Sequence, residues 1–473
     1  MLQISRKLGA RNKALLLGVM TVFVLGSCMN DHSGGGGGYI SHPYMKDGYY
    51  TDGKLYYDIE QTTASVVGTD GGASEVVIPD AIEINEVTYS LSRVKNLGIF
   101  KNPDDYGMYG VTANTGLSSL QLGPNVTTIQ AVVQKDIFYE VAEVTPTKED
   151  VYLPSLALSA PLTRRYPLQT IVVRGGNPAY DAREGSNCLI HFASGRVVVA
   201  GTDAKVPPAI KEIAPCAFVG CTSLDRNCKL PDGLVDIGYS AFQQCALTNV
   251  TLPSSLQVIG NGAFFGNHLK EITIPADVYE IGFYAFADND LTSINVDKDN
   301  EFFDSRNDCN AIIDTESNLL LQGCDNTVIP DEVTAISPCA FYNCTRLKTI
   351  NLPTSLVSIG DHAFMGCISL ETVAIPEETG SVGKAAFYGC KSLTQVELPQ
   401  GVTIGAGAFR NCDGLAQQGS YVKVAFDNPS AVDPSVFAFS DNKKAYQLQV
   451  PEDALERFYD SDWSKYFMSI TSY

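Results

Sequence analysis

Apolar positions recur along this chain every 23 residues, most regularly between Ile336 and Pro399. Ile336, Ala340, Phe341, Cys344, Leu347, Ile350, Leu352 and Pro353 make one pass. Ile359, Ala363, Phe364, Cys367, Leu370, Val373, Ile375 and Pro376 make the next, and Val382, Ala386, Phe387, Cys390, Leu393, Val396, Leu398 and Pro399 a third. Self-similarity at this period predicts a repeat solenoid, in which one coil cannot bury its own apolar face and relies on its neighbours. Leu347, Ile350 and Leu352 are interleaved with the polar Thr349 and Asn351, the two-residue period of a strand with one face inside. Pro353 ends that strand because it has no N–H for the ladder. Ala340-Phe341 reads as a tight helical or 3-10 turn, with Ala where coils crowd and Phe filling the interior. The expected fold is mostly β, with a parallel sheet, short helical or 3-10 turns, and caps at both ends.

The Ala-Phe pairs centre on Phe218, Phe242, Phe264, Phe286, Phe341, Phe364, Phe387 and Phe409, which predicts a spine of stacked rings. A longer repeat is laid over the short one. Residues 180–218 align without a gap on 303–341 at an offset of 123: Asp181 on Asp304, Arg183 on Arg306, Asn187 on Asn310, Ile190 on Ile313. Both stretches read as β-hairpin-like inserts. The expected organisation is a leader at 1–27, a glycine-rich tether at 28–38, and an N-terminal cap with degenerate coils at 39–116. A solenoid follows at 117–420, with inserts near 131–167, 174–206 and 297–329, and a C-terminal cap at 421–473. In the first cap, Asp52-Gly53 between tyrosine-rich runs is a hairpin signal. In the last, Pro451–Phe467 reads as a closing helix, and Trp463 as a plug over the final coil.

Composition changes this picture in three places. The net charge is −20, and removal of 1–27, with four cations and no acid, takes it to −24. Such a surface repels phosphate backbones, so nucleic acid is excluded as a partner. The leader has a basic start and an apolar run, Ala14–Leu25, too short for the roughly 20 residues of a spanning helix. It ends at Leu25-Gly26-Ser27-Cys28, which resembles a bacterial lipoprotein signal, and the resemblance implies lipidation of Cys28. The ten residues 29–38 reach roughly 18 Å as a flexible chain. Of thirteen cysteines, Cys221, Cys245, Cys344, Cys367, Cys390 and Cys412 share one slot of the repeat, which holds Asn267 and Asn289 in two coils. A slot that takes Cys or Asn is expected to face the backbone with a small polar group, as a ladder of free thiols. Cys188, Cys216, Cys228, Cys309, Cys324 and Cys339 have no assignment.

The coils resemble the leucine-rich repeats of the BspA-like, 23-residue (Treponema-type) class of bacterial surface lipoproteins, over about Leu117 to Leu415. That resemblance implies a lipid-anchored cell-envelope protein, at the outer membrane and on the cell surface. It also implies recognition or adhesion, with a protein or glycan ligand such as host matrix or other bacteria. The alternative is a non-catalytic scaffold of an envelope complex. The outward strand positions form the candidate binding face: Asn249, Thr251, Glu271, Thr273, Ser293, Asn295, Thr349, Asn351, Thr372, Gln395 and Glu397. This row is small, polar and free of aromatics. A merely solvated sheet face is the plain alternative. The five histidines fall apart from one another, and neither a P-loop nor a nucleophile elbow occurs. Asp297, Asp299, Asp304 and Asp308 crowd the second insert without the glycine of a calcium loop. No enzyme activity, cofactor or metal is assigned, and the odd segment 131–167 is the other place to look for a site.

Overall fold

The structure is a computed structural model, and it divides into Met1–Gly36 and Gly37–Tyr473. It describes residues 39–41, 44–46, 49–52, 55–61, 63–69, 75–94, 99–100, 111–112, 119–122, 128–129, 170–173, 177–182, 185–201, 203–215, 217–439 and 444–473. The leader, Cys28, the tether, the 131–167 segment and Cys216 lie outside them.

The array is a β-solenoid whose coils build two kinds of parallel ladder. One uses the isoleucine slot. Glu212–Ile213, Asp236–Ile237, Val258–Ile259 and Glu280–Ile281 pair in register, as do Ala335–Ile336, Ser358–Ile359, Ser381–Val382 and Thr403–Ile404. The other uses the alternating strand, and it is interrupted. It forms sheets of Asn227–Lys229 with Asn249–Thr251, of Glu271–Ile274 with Ser293–Val296, and of five strands from Thr372–Ala374 to Phe467–Ser472. Among the described residues the isoleucine-slot ladder is therefore the more continuous wall, not the alternating strand.

Both inserts are three-stranded antiparallel meanders with one construction. Tyr180–Asp181, Cys188–His191 and Arg196–Ala200 form the first; Phe303–Asp304, Ile312–Asp314 and Leu319–Gln322 form the second. Their bulges fall between Leu189 and Ile190 and between Ile312 and Ile313, the same step of the 123-residue repeat. Each ends in a strand that starts the next isoleucine-slot ladder. Each also buries both faces. Leu189 and Val199 belong to the N-terminal core while Ile190 and Val197 belong to the next, and Ile312 and Leu321 face that second core while Ile313 and Leu320 face the third. The meanders are partitions between cores, which is why their strands are apolar on consecutive residues. Asn187 and Asn310 fasten them alike, each accepting through Oδ1 from a backbone N–H of the preceding coil, Ile171 at 3.0 Å and Ile294 at 3.4 Å.

The phenylalanine spine is present and comes in two columns. Phe218, Phe242, Phe264 and Phe286 stack at 5.1, 5.3 and 5.5 Å; Phe341, Phe364, Phe387 and Phe409 stack at 4.7, 5.0 and 5.1 Å. The second partition separates them, and Gly323 is the fit: a Cβ there would sit 2.1 Å from the Phe341 ring. Phe437 extends the second column at 5.2 Å, a member that the lost Ala-Phe-Cys cadence concealed. Trp463 then closes it, 1% exposed, with its Nε1 donating to the Pro429 carbonyl at 2.9 Å. The closing helix is shorter than expected. Only Leu455–Tyr459 is α-helical, and the chain returns through the strand Phe467–Ser472, since Phe467 and Ile470 supply the apolar face that continues the sheet. At the other end the expected hairpin joins Tyr49–Thr51 to Leu55–Glu60. Asp52 holds it, its carboxylate accepting from Leu55 N–H and from the Tyr57 hydroxyl, both at 2.7 Å.

The Cys/Asn slot does what its composition implies. The Sγ atoms of Cys245, Cys367, Cys390 and Cys412 donate to the carbonyls of Phe218, Phe341, Phe364 and Phe387, one coil back, at 2.9–3.3 Å. Asn267 and Asn289 donate through Nδ2 to the equivalent carbonyls of Phe242 and Phe264 at 2.8 and 3.0 Å. Asn does more. Its Oδ1 takes the N–H groups of Cys245 and Leu247, both at 3.0 Å, in the Asn267 case. Those donors are left over because the turn from slot to leucine is one residue shorter in these coils. Asn267→Ala leaves a set of buried donors and acceptors unpaired and is expected to cost about 2–3 kcal/mol. Denaturant titration measures it, and a loss below about 0.5 kcal/mol would contradict this bonding.

The eleven described cysteines are all buried, and no disulfide joins any two of them. Burial pushes the thiols of Cys188, Cys228 and Cys339 from an ordinary 9.0 up to about 12, and those of Cys245, Cys344 and Cys390 well above that ordinary value. Since the thiolate is the reactive form, these buried thiols are chemically quiet. For Cys188, Cys228 and Cys339 the neutral thiol is the form the fold prefers, so that stabilisation is complete below pH 9.0 and drains away toward pH 12. Alkylation of the native protein at neutral pH followed by peptide mass spectrometry is expected to leave these eleven unlabelled, and denaturant to release all of them. Native labelling of any slot cysteine would disprove the ladder.

Candidate binding face

The face is built by alternation. In Glu271–Ile274 and Thr372–Ala374, Ile272 and Val373 go inside, while Glu271, Thr273, Thr372 and Ala374 are exposed. Parallel register then turns alternation into rows, because identical slots fall side by side. Asn249 stands opposite Asn227 and Thr251 opposite Lys229; Glu271 opposite Ser293 and Thr273 opposite Asn295; Thr372 opposite Gln395 and Ala374 opposite Glu397. All eleven predicted residues point away from the core, with Asn249, Ser293 and Gln395 half-buried.

Thr349 and Asn351 keep the exposure and lose the strand. Their segment is outside any ladder, and the expectation of one unbroken sheet is corrected here. Its neighbour toward the second partition is a turn, Cys324–Thr327, which offers no strand edge. That turn ties the halves of the face together. Arg346 donates from Nε to the Asp325 carboxylate at 2.8 Å, Asp325 N–H reaches the Leu291 carbonyl, and Asn326 Nδ2 donates to the Thr292 carbonyl at 3.1 Å. The Asp325 side chain is almost buried and the Arg346 side chain exposed.

The face also runs further than the repeats. Tyr421–Val424 pairs with Gln395–Leu398, placing Tyr421 beside Gln395 and Lys423 beside Glu397. Two more strands continue it, with Gln449 next to Lys423 and Thr471 next to Gln449. Tyr421 Oη lies 3.5 Å from Gln395 Oε1, and burial followed by the Glu397 charge pushes its phenol upward. Lys423 Nζ sits 4.3 Å from the Tyr473 ring centroid. These residues escaped the sequence reading, which stopped the face where the Ala-Phe-Cys cadence stops. The signal was available in Val422 and Val424, both buried, with Tyr421 and Lys423 in the outward slots.

Among the described residues no group of three His, Cys, Asp or Glu side chains is placed to hold a metal ion. In the acidic insert Asp304 is taken by Arg306, Nη2 to Oδ2 at 2.8 Å, and Asp297 Oδ1 accepts from the Asp299 N–H. Among the same residues no helix is long and apolar enough to cross a membrane.

Residues 201–310 and 321–424 match the family model for the BspA type leucine rich repeat region, in six copies. Over those residues the solenoid is therefore a leucine-rich-repeat array of the BspA type. No curated protein matches the chain. Solved structures similar to it include a leucine rich cell surface protein from Faecalibacterium prausnitzii, 22% identical, covering 81% of this chain and 96% of that one at a TM-score of 0.46. The pneumococcal vaccine antigen PcpA is 17% identical, with 89% and 97% covered and a TM-score of 0.47. A leucine-rich repeat protein from Bacteroides ovatus is 18% identical, with 88% and 98% covered and a TM-score of 0.28.

Proposed function

We propose that this chain is a lipid-anchored recognition protein of the bacterial cell envelope, displayed on the outer membrane to bind a protein or glycan ligand on its polar strand face. The observation that carries the reading is the set of in-register polar rows held on a rigid apolar spine. Repeat arrays of this kind are generally binding scaffolds, offering an extended surface rather than a pocket. The lipobox-like Cys28 and the glycine tether supply the anchor, and the two terminal segments, 39–116 and 421–473, act as caps. Recognition then depends on exposed side chains whose replacement leaves the core untouched.

The test uses the full-length protein in detergent micelles against arrays of matrix proteins and glycans. Saturable binding is expected, with at least a tenfold loss on Thr273→Arg plus Asn295→Arg at unchanged melting temperature. Silence on both arrays from a folded protein would sink the reading. For the anchor, Cys28→Ser is expected to move the protein from the membrane to the soluble fraction of its native host.

A further inference from the structure

We infer that the ligand of this face is an uncharged, extended polysaccharide, laid across the coils with successive sugars on successive strands. The inference rests on the recognition reading above and narrows it. Its first support is charge. The chain carries −20 overall, yet the outward strand positions from Asn227 to Thr471 hold only Lys229, Glu271, Glu397 and Lys423, two of each sign. The face is the neutral strip of an acidic molecule. An anionic polymer gains nothing there and is repelled by the remainder; a cationic one would bind better elsewhere on the surface.

The second support is side-chain chemistry. Most of the remaining positions are Asn, Gln, Thr or Ser, which both donate and accept hydrogen bonds and so suit hydroxyl groups of either sense. Among the described positions the exposed Met468 of the last strand stands apart from the polar rows, and one such side chain does not make the apolar centre of a protein interface. At the C-terminal end Tyr421 and the exposed Tyr473 add rings with a polar tip, suited to the C–H face of a sugar.

The third support is spacing. The stacked rings record the advance from coil to coil, 4.7–5.5 Å. An extended β-linked pyranose chain advances by a closely similar length per sugar, so within each stacked half of the face successive sugars keep step with successive coils, every second sugar presenting the same edge.

The experiment mixes the full-length protein in detergent with particles of cellulose, chitin and yeast β-glucan, and with polygalacturonate-coated and bare beads. Retention is expected on at least one neutral glycan and unchanged from low to high salt, since no ion pair is involved. Ala374→Arg, which raises a long side chain from the middle of the face, is expected to weaken retention at least tenfold. The triple change Asn295→Ala, Asn351→Ala and Gln449→Ala is expected to do the same, both with unchanged melting. Absence from every neutral glycan, salt-sensitive retention on polygalacturonate alone, or retention indifferent to both variants overturns the polysaccharide. Protein-array binding that Ala374→Arg abolishes, with no glycan retained, overturns this inference and leaves the recognition face standing; silence everywhere overturns both.

Discussion

Phe364→Ala is expected to destabilise the array by about 3–5 kcal/mol. Phe364 is fully buried, and its ring lies 4.7 Å from that of Phe341 and 5.0 Å from that of Phe387. Removing it takes a large apolar surface from the core and opens a gap inside a column. The column cannot slide shut. The phenylalanine N–H groups on either side of the gap are tied to the next coil, Phe341 to the Ala363 carbonyl and Phe364 to that of Ala386, both at 2.7 Å, and Phe387 to that of Ala408 at 2.8 Å. The cavity term therefore adds to the transfer term instead of relaxing away. Chemical denaturation of the purified protein measures the loss. Phe364→Leu retains most of the volume and should cost no more than about 1.5 kcal/mol. A loss under about 1 kcal/mol for the alanine variant would contradict the spine as the main core.

Gly383→Ala is expected to cost about 3 kcal/mol, although it adds one methyl group. A Cβ at Gly383 would lie 2.4 Å from the backbone nitrogen of Asp361 and 2.5 Å from the Gly360 carbonyl carbon. The obstacle is backbone of the preceding coil, which moves only if the ladder moves. Gly238, Gly260, Gly282, Gly360 and Gly405 hold the same slot after the isoleucine and meet backbone atoms at 2.3–2.5 Å. The rule has an informative exception. Ala214 and Ser337 occupy the slot in the first coil after each partition, where the preceding neighbour is a meander strand, and their N–H groups bond to Val197 and Leu320. Gly380, three residues away in the same coil, is the control. Its Cβ would meet nothing nearer than 3.9 Å, so Gly380→Ala should stay within about 0.5 kcal/mol. Equal effects for the two glycines would show that close coil approach is not the cause.

Much of the fold was legible because its determinants are local and repeated. Phe, Cys and the alternating strand recur in fixed slots, and a residue that fills one coil fills the next in the same way. The eleven face residues followed from alternation alone, since a strand with buried Ile272 or Val373 has no choice about its other side. The glycine after the isoleucine was equally periodic but carried no legible role, because its reason is a contact with another coil.

The amino-acid pattern alone settled the coil, its spine, the thiol slot and the duplicated insert, all consequences of side-chain size and polarity at a fixed period. Only the tertiary structure decided how these parts divide space. The meanders became partitions because stacking gave each of them a core on both sides. The alternating strands separated into several sheets because a turn, not a strand, adjoins Thr349 and Asn351. The face reached Tyr421, Lys423 and Thr471 because parallel pairing continues wherever a backbone edge is offered, after the repeating side chains have ended. Pairing of that kind depends on hydrogen-bonding groups that every residue carries, so no residue type announces where it stops.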